Sequence, residues 1–124
     1  MKQKLSVWGR EFDLDVEFDC YTGKEKQPYQ EDAFKAFLSC SNLVDDSLDE
    51  VKKYCIDRDE EKTGDVIENI FKYVIPQSLF IRRNSKSDHV VALMCAYKFD
   101  EEHGIAVVFK NEQLDEVTDQ GSVL

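Results

Sequence analysis

The stretch that most constrains this chain is Phe12 to Cys20, where two residue classes alternate without a break. Phe12, Leu14, Val16, Phe18 and Cys20 hold one set of positions, and Asp13, Asp15, Glu17 and Asp19 hold the other. Side chains of an extended strand point to opposite faces in turn. This period of two therefore predicts a strand with one face on a core and the other facing solvent or a partner. Upstream, Lys4 to Trp8 is expected to pair with Glu11 to Cys20 across Gly9-Arg10, a tight turn in which glycine supplies positive φ. Carboxylates at alternate strand positions stand ~6.6–7 Å apart and repel. They are also poor strand formers. Either cross-strand Lys2, Lys4 and Arg10 neutralise them, or a basic ligand does.

The middle of the chain reads as helical. Tyr21 to Gln27 is a loop containing Gly23, and Pro28 suits a first helical position. Ala33, Phe34, Phe37 and Leu38 form an apolar stripe at helical spacing that fades at Ser39-Cys40-Ser41-Asn42. Ser47-Leu48-Asp49-Glu50 matches a capping box, and Leu48, Val51, Tyr54 and Cys55 behind it predict a second helix of about three turns. Asp57 to Lys62 is a charged connection. A third helix is expected after Gly64, with Asp65 as cap, Val66, Ile67, Ile70, Phe71 and Val74 apolar, and Pro76 as terminator.

The last third returns to strands. Leu79 to Arg83 is short, and Leu79-Phe80-Ile81 is a candidate exposed edge that pairs with another chain. Asn84 to Asp88 is a polar turn, and His89 to Phe99 has the apolar run of a central strand. Asp100 to Gly104 turns into Ile105 to Lys110, and Asn111-Glu112 turns into a strand over Gln113 to Val117. The blocks ββ-ααα-ββββ predict an α+β fold, with a mostly antiparallel sheet of about five to six strands and about three helices inserted after the N-terminal hairpin. No linker or repeat divides residues 1–124, so a single domain is expected.

Charge narrows the function. The chain of 124 residues has 26 acidic and 16 basic side chains, a net charge of −10. That balance disfavours nucleic acid and anionic lipid as partners, since both reward basic patches. Residues 31–75 carry a net −6 of it, including Asp45, Asp46, Asp49 and Glu50. The N-terminus starts basic but lacks the apolar stretch of a signal peptide, and the longest apolar run, the eight residues Val90 to Tyr97, is too short to span a membrane. Cys20, Cys40, Cys55 and Cys95 contain no Cys-x-x-Cys pair and read as small hydrophobes in a reducing compartment. A cytoplasmic location with no metal and no cofactor is expected. Neither a phosphate loop nor a nucleophile elbow is present. A hydrolase built on Glu102 and His103 is the weakest of three readings, because a turn histidine beside glycine is ordinarily a surface residue.

The segment Tyr97-Lys98-Phe99-Asp100-Glu101-Glu102-His103-Gly104-Ile105-Ala106-Val107-Val108-Phe109 resembles a strand-turn-strand signature of small bacterial domains, several of which look like immunity proteins of contact-dependent and other polymorphic toxin systems. Val7-Trp8-Gly9 and Phe12 are similar to the opening hairpin of such domains. In the tail, Gln120 and Leu124 match, but Gly121 stands where an aspartate is usual. The resemblance brings no catalytic residues. It implies an immunity protein, not an enzyme, that binds a cognate toxin, a nuclease and hence basic protein being the expected kind; a monomer is favoured, with the oligomeric state left open. The residues expected to meet it are Asp13, Asp15, Glu17 and Asp19 on the strand, and Asp45, Asp46, Asp49 and Glu50 on the helical third. The alternative is an adaptor or regulatory module for another protein.

Overall fold

The alternating stretch is the second strand of a six-stranded sheet. The computed structural model describes residues 1–20, 25–40, 42–83 and 88–123. Strands β1 (Lys2–Val7), β2 (Arg10–Phe18), β3 (Val74–Ile81), β4 (Val90–Tyr97), β5 (Ile105–Lys110) and β6 (Gln113–Thr118) lie side by side in that order. Four of the five neighbouring pairs are antiparallel, and β2–β3 is parallel. The crossover between β2 and β3 carries helices α1 (Pro28–Ser39) and α2 (Leu48–Thr63). The fold is α+β with a mostly antiparallel sheet, as expected, but two helices stand where three are expected, so the order ββ-ααα-ββββ does not hold. The loop around Gly23, residues 84–87 of the polar turn and Leu124 lie outside the described residues.

The helices cover one face of the sheet. Leu14, Leu79, Leu93, Val107 and Phe109 meet Phe34 and Phe37 of α1 and Val51 and Cys55 of α2 in one core. Rings interlock across it, with Phe18 edge-on to Phe34 at 5.8 Å and Phe37 against Phe109 at 5.3 Å. The opposite side, the far face, has a second cluster of Phe80, Val90, Ala92, Met94, Ala106 and Val108.

Several expected boundaries move. The first turn is Trp8-Gly9, one residue earlier than Gly9-Arg10, with φ of 53° and 85°. A two-residue hairpin demands such positive values. Trp8 is held there because its indole Nε1 donates to Ser47 Oγ at 3.1 Å. Ser47 is thereby taken from the expected capping box: its hydroxyl donates to the Val44 carbonyl, and it makes no cap bond to α2.

The third helix does not form. Residues 66–73 instead hold a 3₁₀ turn, Ile70–Lys72, capped by the Asn69 side chain accepting from Phe71 N–H, and β3 then runs straight through Pro76. The β-branched residues Val66, Ile67, Ile70, Val74 and Ile75 mimic a helical stripe yet favour extended backbone. Pro76 is tolerated because β2 pairs with β3 only from Ser78 onward and a bulge separates Pro76 from Ser78. Leu79-Phe80-Ile81 is accordingly interior, between β2 and β4, and all three residues are buried. The edges are β1 and β6, which expose Lys2 and Lys4 or Asp115 and Glu116, charges that discourage strand addition. Helix α2 is longer than expected. It absorbs the charged connection 57–62 and kinks where Asp59 leaves helical geometry (φ −134°, ψ 38°).

Candidate functional site

On β2, alternation puts Glu11, Asp13, Asp15 and Glu17 on the far face, because Leu14 and Val16 point into the helix-side core. Register places Lys2 opposite Asp15 and Lys4 opposite Asp13. Lys2 Nζ lies 3.1 Å from Asp15, but Lys4 Nζ turns to Glu11, at 3.7 Å. Asp13 and Glu17 are exposed and form no ion pair with any described residue. On the other side of β2, Asp15 and Glu17 are in register with Ser78 and Phe80 of β3. Glu17 therefore stands on a ledge beside the apolar floor of Phe80, Ala92 and Val108, and Asp13, two positions before the stretch of β2 that pairs with β3, stands further along the same strand face.

Asp19 departs from this set. It is half-buried past the end of β2, where its carboxylate lies 3.7 Å from Arg83 Nε and its backbone N–H donates to the Ile81 carbonyl. Its role is to close the parallel pair.

The second acidic group sits on the helix layer, across the sheet from the first. Asp45 accepts from the Gly9 N–H at 3.4 Å and so helps dock the hairpin turn. Asp46, Asp49 and Glu50 are exposed, with Asp49 and Glu50 in the first turn of α2, where negative charge complements the helix dipole. The eight carboxylates thus do not form one surface. The sheet separates Asp13, Asp15 and Glu17 from Asp45, Asp46, Asp49 and Glu50.

The β4–β5 turn is tied to α2 by a polar network. Arg58 donates from Nη2 to Asp100 and from Nη1 to the Tyr54 hydroxyl at 3.0 Å. Asp100 also accepts from His103, whose Nδ1 lies 3.0 Å away. At the next residue of α2, the Tyr97 hydroxyl donates to Asp59 at 2.6 Å, at the kink. Burial works against the charged form of Asp100, yet hydrogen bonds from Arg58 and His103 hold its carboxyl below the usual range. The same hydrogen bond and charge raise the His103 pKa. His103 therefore stabilises the turn below its unfolded pKa, and that contribution fades as pH rises through the raised folded value. We expect His103→Gln to lower the melting temperature at pH 5.5 and to leave it unchanged at pH 9. Equal losses at both pH values would contradict the pairing.

Glu102, half of the expected acid–base pair, makes no contact with His103 among the described hydrogen bonds and ion pairs; Asp100 is the histidine's partner. Among the described residues, no group of three or more His, Cys, Asp and Glu is placed to hold a metal ion, and no helix is long and apolar enough to cross a membrane. The thiols of Cys55 and Cys95 are fully buried, and burial pushes both up, Cys55 to about 11, so they stay neutral in the core. Cys20 and Cys40 are only half-buried, less than their apolar neighbours suggest.

Two contributors escape sequence reasoning. Gln30, in the polar run before the α1 stripe, is completely buried. Gln120 reaches from the tail to the Cys95 carbonyl at 2.9 Å. Its position in the tail motif marks Gln120, whereas no local pattern distinguishes Gln30 from an exposed helix-start residue.

A family model described as "Domain of unknown function (DUF6985)" matches residues 1–124. No curated protein and no solved structure matches the chain.

Proposed function

We propose, for a chain that belongs to the DUF6985 family, that it is an immunity-type inhibitor, neutralising a basic toxin by stoichiometric binding through the far face of its sheet. The observation that carries this is the pair Asp13 and Glu17, exposed on one strand face and without an ion-pair partner among the described residues, with Glu17 beside the apolar floor at Phe80. Strand carboxylates cost stability, and Lys2 and Lys4 relieve only Asp15 and Glu11. A basic partner would relieve the other two. Complementary potential of this kind speeds encounter and fixes orientation more than it adds affinity. The likeness of residues 97–109 to immunity-protein hairpins supports the same reading, while the contacts of that hairpin to α2 and to the tail are structural. The helix-side carboxylates Asp46, Asp49 and Glu50 face another way and add to the long-range field.

The test is co-expression with the product of the adjacent reading frame, scored by growth and by co-purification. An immunity protein restores growth and co-purifies one to one. An adaptor or regulatory module leaves growth unaffected by the neighbouring product. Asp13→Lys with Glu17→Lys should abolish protection while the chain stays folded, at a cost of at most about 1 kcal/mol for setting a lysine at position 13 opposite Lys4. Full protection by the double variant would exclude this face.

A further inference from the structure

The far-face floor is capped by the chain itself. After β6, Asp119 caps a 3₁₀ turn, Gln120–Ser122, and the chain then delivers Val123, only 4% exposed, into the cluster of Phe80, Val90, Ala92, Met94, Ala106 and Val108. Among the described residues two hydrogen bonds tie the segment to the hairpin and β4, Gln120 N–H to the His103 carbonyl and Gln120 Nε2 to the Cys95 carbonyl, while Ser122 N–H to the Asp119 carboxylate and Val123 N–H to the Gln120 carbonyl lie within it. Asp119, Gln120, Gly121 and Ser122 are themselves partly or fully exposed, so Val123 is the one side chain of the five that is buried. The floor meets the carboxylate ledge where Glu17 stands in register with Phe80.

We infer that residues 119–123 are a displaceable strap over an apolar docking floor. The occupant that takes the place of Val123 is an apolar side chain on a basic segment of a partner protein. This rests on the reading of the far face as the docking surface. Charge complementarity selects the occupant, because an apolar side chain entering beside Phe80 carries its basic neighbours onto Glu17. A strap that competes with the ligand lowers apparent affinity by the fraction of time it is closed, so loosening it raises affinity.

The experiment uses the full chain with Gln120→Ala, which cuts the side-chain anchor, and an alternating Lys-Leu peptide as probe. Exchange of the Ser122 and Val123 amides should quicken roughly five- to tenfold, the factor that one lost hydrogen bond is worth. The amides of β4 and β5 should keep their protection. Gln120→Ala should bind the peptide several-fold more tightly than wild type, and adding Glu17→Lys should reverse the gain. Faster exchange spreading through β4 and β5 would show the segment to be part of the sheet's core and overturn the inference. Unchanged peptide affinity in Gln120→Ala would overturn it too, and if Glu17→Lys still weakened binding, the docking face would survive without the strap. No peptide binding to any variant would overturn both.

Discussion

Replacing Gly104 with alanine is expected to destabilise the protein by about 2–4 kcal/mol, the upper range for a single substitution, because two costs coincide. Gly104 has φ of +62°, where a Cβ is strained in its own right. A Cβ built there would also stand 2.5 Å from the Cys95 carbonyl oxygen and 2.6 Å from Gln120 Nε2. The side-chain amide has room to swing away, but the carbonyl belongs to the ladder pairing Cys95 with Ile105 and does not. Relief therefore means either opening the β4–β5 turn or expelling Gln120. Chemical denaturation should show a lowered midpoint with little change in slope. A loss below about 1 kcal/mol would show that the turn adapts more freely than this packing allows.

The second large effect is expected at Gln30. Its Oε1 accepts the Gln27 N–H at 2.7 Å, and its Nε2 donates to the carbonyls of Asp19 at 2.7 Å and Ile81 at 3.1 Å. One amide thus joins the start of α1 to the ends of both parallel strands. Parallel pairing closes late and over a long connection, here the whole helical third, so its fixed ends matter. Gln30→Leu keeps the volume but removes every bond. Leaving these backbone groups short of partners in a fully buried position should cost about 2–3 kcal/mol. Exchange should quicken first at the Asp19 amide, which donates to the Ile81 carbonyl. A stable, unperturbed leucine variant would show that α1 is held by its apolar face alone.

How much was legible follows from where the information sits. Phe12 to Phe18 is legible because period-two alternation is a local signal with one geometric meaning. β4 and β5 are legible for a different reason, an apolar run of strand length that fits a sheet buried on both faces. The parallel neighbour of β2 was not legible, because nothing in Asp15 to Phe18 names Ser78 to Ile81 as partner across a connection of two helices. The third helix failed for the reason that makes β3 succeed: Ile67, Ile70 and Val74 are apolar at helical spacing, and only tertiary competition for the sheet's centre decides against them. Ser47 shows the same limit, since a capping sequence yielded to the Trp8 indole from 39 residues away.

The candidate site divides likewise. Alternation placed Asp13, Asp15 and Glu17 on one face, and the structure keeps them there. It could not say which lysine answers which carboxylate. That answer leaves Asp13 and Glu17 without an ion-pair partner among the described residues, assigns Asp19 to Arg83 and puts the second acidic group across the sheet. The hairpin 97–109 was legible as a motif, but the work of its parts was not. Asp100 and Tyr97 anchor α2 through Arg58 and Asp59, and Gly104 makes room for Gln120.

Recognition of a basic protein by Asp13 and Glu17 of β2 would act through long-range charge, so the deciding measurement is the association rate of the purified chain with the product of the adjacent reading frame, followed against ionic strength. Steered association rises ~10- to 1000-fold as salt is withdrawn. Wild type should show that steep dependence, and Asp13→Lys with Glu17→Lys should flatten it and slow binding at least tenfold in low salt. A double variant that associates as fast as wild type, with the same salt dependence, would contradict the claim.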